Sequence, residues 1–156
     1  MKEIVYRRLN KDEIKLMVDY RIIFLRELQG EQTPETEEKL RQELTAYFEK
    51  ALADGSFIGR VAEIDSKLIG IGGMVLLQVP GNFHLPNGRW GYILSVYTIP
   101  EYRKRGIGSE IINQFIEEGK NLGLSKVYLH ASNDGIELYR KKGFVDPDLP
   151  ELELKY

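Results

Sequence analysis

Glu3–Leu9 reads as a short strand, whose side chains set Ile4, Tyr6 and Arg8 opposite Val5, Arg7 and Leu9. From Asp12 to Leu28 the period lengthens to that of a helix, with Ile14, Met17, Val18, Phe24, Leu25 and Leu28 on one apolar stripe. The run GEQTP, Gly30–Pro34, breaks the stripe. Thr33 has the chemistry of an N-cap, Pro34 suits a first helical position and Glu35 falls in the first turn. The helix so begun carries Leu40, Leu44, Tyr47, Phe48 and Ala51 inward and stops near Ala53-Asp54-Gly55.

Beyond Gly55 the pattern turns to strands. SFIGRVAEI and KLIGIGGMVLLQV are joined by Asp65-Ser66, which predicts a tight hairpin. PGNFHLPNG is a loop of turn formers, and RWGYILSVYT is the next strand, closed by Ile99-Pro100. A helix from Gly106 to about Leu122 buries Ile111, Ile112, Phe115 and Ile116; SKVYLHA follows as a strand and DGIELYRKK as a short helix. Gly143-Phe144 and then LELKY read as the last strands. The order β-α-α-β-β-β-α-β-α-β combines hairpins with a strand–helix–strand crossover and predicts an α+β sheet. No repeat or linker divides the chain, so the 156 residues are expected to form one domain spanning 1–156.

Composition narrows the chemistry. A formal net charge of −2 provides no general basic field for nucleic acid or an anionic membrane, so any phosphate site must be local. With no cysteine there is no disulfide, thiolate metal site or cysteine nucleophile. His84 and His130 are too far apart for a metal-site signature, so no metal is expected. The opening MKEIVYRRLN lacks the apolar core of a signal peptide and no apolar run reaches spanning length, which makes a cytoplasmic location the expectation.

One stretch stands out. In YTIPEYRKRGIGSEIINQF, three cations, Arg103, Lys104 and Arg105, stand before Gly106 and Gly108 at the start of an apolar helix. Such a helix start exposes backbone N–H groups and the positive end of a dipole, and glycines let an anion approach the backbone. The bland reading is a turn of small residues with solvated arginines. The agreement of strand, turn, cations and helix favours anion binding. A Walker site would need a lysine after the second glycine, where Ser109 stands. A dinucleotide fingerprint would need a glycine at Ile111.

VYTIPEYRKRGIGSEII resembles the acyl-CoA signature of the GNAT superfamily of N-acyltransferases, with Arg103, Gly106 and Gly108 in the pattern and Pro100–Tyr102 as its lead-in. ELYRKKGF, with Leu138, Tyr139, Gly143 and Phe144, is similar to the family's second signature, and the order of elements is also the family's. The resemblance implies a mixed, mostly antiparallel sheet of six to seven strands, splayed at its central strands. About four helices would flank it. It implies acetyl-CoA as cosubstrate, an amine acceptor, and direct attack of that amine on the thioester through a tetrahedral intermediate. The backbone of Val96, Tyr97 and Thr98 would pair with the pantetheine arm. Arg103, Lys104, Arg105, Gly106, Ile107, Gly108 and Ser109 would surround the pyrophosphate.

By the same resemblance Tyr139 is the general acid that protonates the leaving thiolate. Read without it, Tyr139 is a packing residue on a short helix. Seven residues earlier, where many relatives have Asn, stands Ser132 as a candidate relay, with Asn133 next to it as the substitute contact to the cofactor. Where some relatives carry a base-like Glu, this chain has Tyr92, so no general base is assigned. His130 lies at a strand end within reach of a relay role, and packing is its plainer reading; His84 sits in a loop where it would touch an acceptor or simply be solvated.

The acceptor is a small-molecule or protein amine. Glu27, Glu31, Glu35, Glu37 and Glu38 lie where the resemblance puts the acceptor mouth; they would attract a cationic amine, although a solvated helix start explains them as well. Neither nucleic acid nor membrane is expected as a partner, and an exposed final strand would offer a surface for a homodimer. Two alternatives remain beside the enzyme: a non-catalytic acyl-CoA sensor, which would need no acid at Tyr139, and a nucleotide-binding module, which would prefer ATP or NAD to coenzyme A.

Overall fold

The computed structural model describes residues 2–156. Its elements run β1 (Val5–Arg8), α1 (Ile14–Gln29), α2 (Pro34–Asp54), β2 (Phe57–Ile64), β3 (Lys67–Gln78), β4 (Arg89–Thr98), a 3₁₀ turn (Pro100–Tyr102), α3 (Ile107–Asn121), β5 (Lys126–Leu129) and α4 (Ile136–Lys141). α2 starts as its sequence dictates: Thr33 Oγ1 accepts the Thr36 N–H at 3.2 Å and Pro34 takes the first helical position. In the β2–β3 hairpin both Asp65 (φ 50°) and Ser66 (φ 63°) are left-handed, the backbone of a two-residue turn whose twist matches that of the strands.

The sheet has the order β1-β2-β3-β4-β5, antiparallel up to β4, with β5 parallel to β4. Its two faces bury separate cores. α1 and α2 cover one with Met17, Val18, Ile22, Phe48 and Leu52, where Phe48 meets Phe57 edge-on at 4.9 Å between ring centres. On the other face α3 packs Ile107, Ile111, Ile112 and Phe115 against Ile58, Ile69, Met74 and Ile93. The helix lies close because β3 offers it bare backbone: a Cβ at Gly72 would stand 2.8 Å from Ile111 Cγ2, and one at Gly70 2.7 Å from Ile107 Cγ2.

The sheet has five strands and not the six to seven the resemblance implies. The missing ones are the last strands: after α4 no residue is in a strand. Pro147 and Pro150 cannot donate to a ladder and restrict the residues before them. Beyond them Leu152, Leu154 and Tyr156 alternate with polar residues as a half-buried strand would, yet they are 92%, 79% and 114% exposed. Alternation reports amphipathicity, not pairing. The surface on which the homodimer argument stands, an exposed final strand, is therefore not formed. Four α-helices and the mixed, mostly antiparallel α+β class agree with expectation. At the sheet's edge, β4 and β5 pair only from Trp90↔Lys126 to Ile93↔Leu129. Among the described residues no helix is long and apolar enough to cross a membrane.

β1 is tied down by charge. Arg7 donates to both carboxylate oxygens of Glu13 at 2.9 and 2.8 Å and to both of Glu63 at 3.2 and 2.6 Å. The guanidinium holds the Glu13 carboxyl below the usual carboxylate range. Arg7→Met leaves two carboxylates facing one another, and chemical denaturation should show a loss of about 1–3 kcal/mol. Because the folded-state pKa of Glu13 is depressed, its contribution is present above the carboxylate's ordinary pKa and is lost as pH falls through the depressed value. The variant's deficit should therefore shrink in acid.

Candidate active site

β4 departs from regularity at one point, and the site is built there. On its β3 side Gly73 pairs with Leu94 and Ile71 with Tyr97, so three steps on β4 oppose two on β3. The bulge holds Ser95, left-handed at φ 55° and buried. On the other side the parallel pairing runs from Trp90↔Lys126 to Ile93↔Leu129 and ends. From Leu94 to Thr98 the strand thus presents an unpaired edge, and Val96, Tyr97 and Thr98, expected to meet a pantetheine arm, all lie on it. The edge is open because β5 stops at Leu129 while β4 continues to Thr98.

At the far end of the open edge the chain makes the glycine turn. Ile99 N–H bonds back to Ile69 O at 3.0 Å, the 3₁₀ turn follows, and Lys104 (φ 61°) and Gly106 (φ 79°) are both left-handed before α3 begins at Ile107. A Cβ on Gly106 would meet nothing within 4 Å, so this position faces open space. One on Gly108 would stand 3.6 Å from Val96 Cγ1. The early amides of α3, including those of Ile107, Gly108 and Ser109, have no acceptor within the helix. They sit beside the open edge of β4, a cradle suited to an anion on an extended ligand.

The three cations divide. Arg103 turns away from the helix start: Nε donates to Thr98 O at 2.9 Å, Nη2 donates to both carboxylate oxygens of Glu27 at 2.9 and 2.8 Å, and the guanidinium lies 5.4 Å from the Tyr97 ring centre. Tyr97 OH also donates to Glu27, at 3.1 Å; burial and that carboxylate push the phenol's pKa up. Arg105 sits over Tyr102, while Lys104 is exposed. Within the acidic run Glu27–Glu38, Glu27 is held by Arg103 and Glu37 by Arg26.

Tyr139 stands on the α3 side of the sheet, half-buried on α4. Left-handed Gly143 (φ 97°) ends that helix so that Phe144 N–H reaches Tyr139 O at 3.1 Å and Gly143 N–H reaches Arg140 O at 3.0 Å. This reversal brings Phe144 edge-on to the Tyr139 ring, 6.0 Å between centres, which explains why a glycine and an aromatic follow the tyrosine in the second signature. Burial raises the phenol's pKa, and its hydroxyl has no hydrogen-bond partner among the described residues. Gly135 leaves room for both neighbours: a Cβ there would lie 3.1 Å from Tyr139 Cε2 and 3.3 Å from Ser132 Oγ. Ser132 Oγ and the Tyr139 ring both stand near Gly135, and Ser132 and Asn133 are both exposed.

On the opposite face Tyr92 stacks on Tyr128 at 4.9 Å and its hydroxyl lies 2.9 Å from His130 Nδ1, with His130 Nε2 3.5 Å from Glu151. His84 remains on its exposed loop and does not join the site. One participant is absent from the motifs of the sequence. Arg21 donates from Nη1 to Ser95 Oγ at 2.7 Å, at the bulge. Its signal was available: Arg21 is four residues after Met17 and three after Val18, so a charge lies on the buried face of α1.

Comparison with known proteins agrees with this geometry. The model of the Acetyltransferase (GNAT) family matches residues 22–144. A predicted acetyltransferase from Clostridium acetobutylicum, solved with acetyl-CoA, is 30% identical, covers 98% of this chain and 96% of its own, and superposes with a TM-score of 0.88. A GCN5-related N-acetyltransferase from Ralstonia eutropha JMP134 is 26% identical over 97% of this chain and 99% of its own, with a TM-score of 0.85. A possible acetyltransferase from Clostridium difficile 630, at 18% identity and a TM-score of 0.76 over 98% of this chain and 97% of its own, shares the fold. No curated protein matches the sequence. The chain belongs to the GNAT family of acetyltransferases. It is an acetyl-CoA-dependent N-acetyltransferase that carries the acetyl group to an amine.

Proposed function

We propose that acetyl-CoA lies in the cleft between β4 and β5, and that Tyr139 drives departure of its thiolate. The parting of the strands after Ile93 and Leu129, with the glycine turn at the end of the same open edge, carries this reading. The backbone of Val96–Thr98 pairs with the pantetheine amides, as an added strand would. The pyrophosphate rests on the amides of Lys104–Ser109. Exposed Lys104 and Arg105 supply charge, and Arg103 instead fixes the end of β4 to α1.

The amine enters on the α1 side and attacks the thioester carbonyl. A C–N bond forms, the tetrahedral intermediate collapses, and the C–S bond breaks as the Tyr139 phenol gives its proton to sulfur. Ser132 Oγ, near Gly135 as that ring is, relays the replacement proton. No carboxylate stands at the position of Tyr92, so the ammonium proton passes to the Tyr92–His130 pair. Calorimetric titration tests the reading: acetyl-CoA and coenzyme A should bind at micromolar concentration, with ATP and NAD much weaker. A thiol-release assay with amines then follows turnover. Equal or tighter binding of ATP or NAD would overturn the assignment, and acetyl-CoA binding without turnover of any amine would favour a sensor.

A further inference from the structure

Acetyl transfer through the cleft does not explain the surroundings of Arg21. Of the ten arginines in the chain, all but Arg21, Arg89 and Arg105 face a carboxylate within 4.0 Å. Arg89 and Arg105 are exposed, where water solvates a guanidinium at little cost. Arg21 is not exposed, and among the described residues no carboxylate pairs with it. Of its five donors, one bonds within the chain, to the neutral hydroxyl of Ser95. Its other close partner is the Phe24 ring, with 5.9 Å from guanidinium carbon to ring centre. Burial draws its pKa down, as it does for a cation taken from water without a counter-ion.

The location gives this unpaired charge a meaning. Ser95 lies two residues beyond Ile93, where β4 and β5 have just parted, and Arg21 reaches it from α1. The guanidinium therefore stands on the α1 side of β4 where its edge becomes unpaired, across the sheet from α3 and Tyr139. Arg21 is half-buried and keeps donors to spare beyond its bond to Ser95, and a planar fork meeting an oxyanion is a strong and directional contact. We infer that Arg21 recognises an anionic group on the acceptor, and that the substrate is an amine that also carries a carboxylate or a phosphate. The inference rests on the acceptor entering from the α1 side, as proposed above. It also replaces the attraction of a cationic amine by the acidic run, in which Glu27 and Glu37 are already paired.

Matched pairs of amines that differ only in the anion test this without the acceptor being identified first. Thiol release is followed with L-α-amino acids against their α-amides, and with glucosamine 6-phosphate against glucosamine; the two arms separate carboxylate from phosphate as the anion. In one arm the anionic amine should exceed its neutral counterpart by about 30-fold or more in kcat/KM, chiefly through KM. Arg21→Met should bring that ratio near one, and Arg21→Lys should retain part of it, while acetyl-CoA affinity stays within about twofold of wild type in both. If Arg21 only braced the bulge, its variants would change all acceptors alike and leave the ratio intact. Neutral counterparts that serve as well as the anions in wild type, or turnover confined to polyamines, overturn the inference without any variant having to fold. Acetyl-CoA bound with the whole panel silent also overturns it, whereas failure to bind acetyl-CoA removes the cleft assignment itself.

Discussion

Tyr139→Phe should lower kcat by about 10²–10⁴-fold and leave acetyl-CoA affinity within about twofold of wild type. The substitution keeps the ring that packs on Phe144 and over Gly135, so α4 and its glycine-terminated end are retained. What is lost is one O–H, with no hydrogen-bond partner among the described residues and therefore free to donate to the thiolate. The pH dependence follows from burial. Burial disfavours the phenolate, so the proton is held to higher pH than the ordinary value of 10.0, and between pH 7 and 9 the donor form is complete. Over that range wild-type activity should rise with pH as the acceptor amine loses its own proton. The limb belonging to Tyr139 should fall above pH 10, and Phe should abolish that limb along with most of the rate. Steady-state thiol release from pH 6 to 11 is the measurement; an unchanged kcat would assign protonation of the thiolate to water.

The parts of this site that were legible in the sequence are those where local chemistry decides local structure. Thr33-Pro34 starts α2 and Asp65-Ser66 turns the hairpin because a cap, a fixed φ and a tolerated left-handed backbone act within four residues. β4 has the bounds that its residue pattern predicts, and the glycine turn follows it as expected. What the sequence left hidden depends on contacts between distant elements. Nothing local shows that Arg103 abandons the turn for Glu27, 76 residues away, or that Arg21 meets Ser95 across 74 residues. The final strands fail for a related reason. Leu152, Leu154 and Tyr156 alternate correctly, but a strand is defined by the edge it joins, and no such pairing forms.

The second large effect is expected at Gly106. Gly106→Asp should weaken acetyl-CoA binding by about 100-fold or more, and Gly106→Asn by no more than about fivefold. The pair separates three causes that a single substitution would confound. Steric exclusion within the protein is absent, since a Cβ at this position meets nothing within 4 Å. Backbone strain at φ 79° is nearly shared, because Asn and Asp both tolerate the left-handed region. Only charge differs, and a carboxylate at the start of α3 faces the same amides and dipole on which the pyrophosphate is proposed to rest. Helix stability alone would favour the acidic residue there, so a loss of binding in Gly106→Asp at undiminished Tm cannot arise from unfolding. Calorimetry on the three proteins at low and high salt checks the argument: added salt should narrow the gap between Asp and Asn, because the opposed charges lie at an open surface. Equal affinities for Asp and Asn would place the pyrophosphate away from this turn and return Lys104 and Arg105 to the solvent.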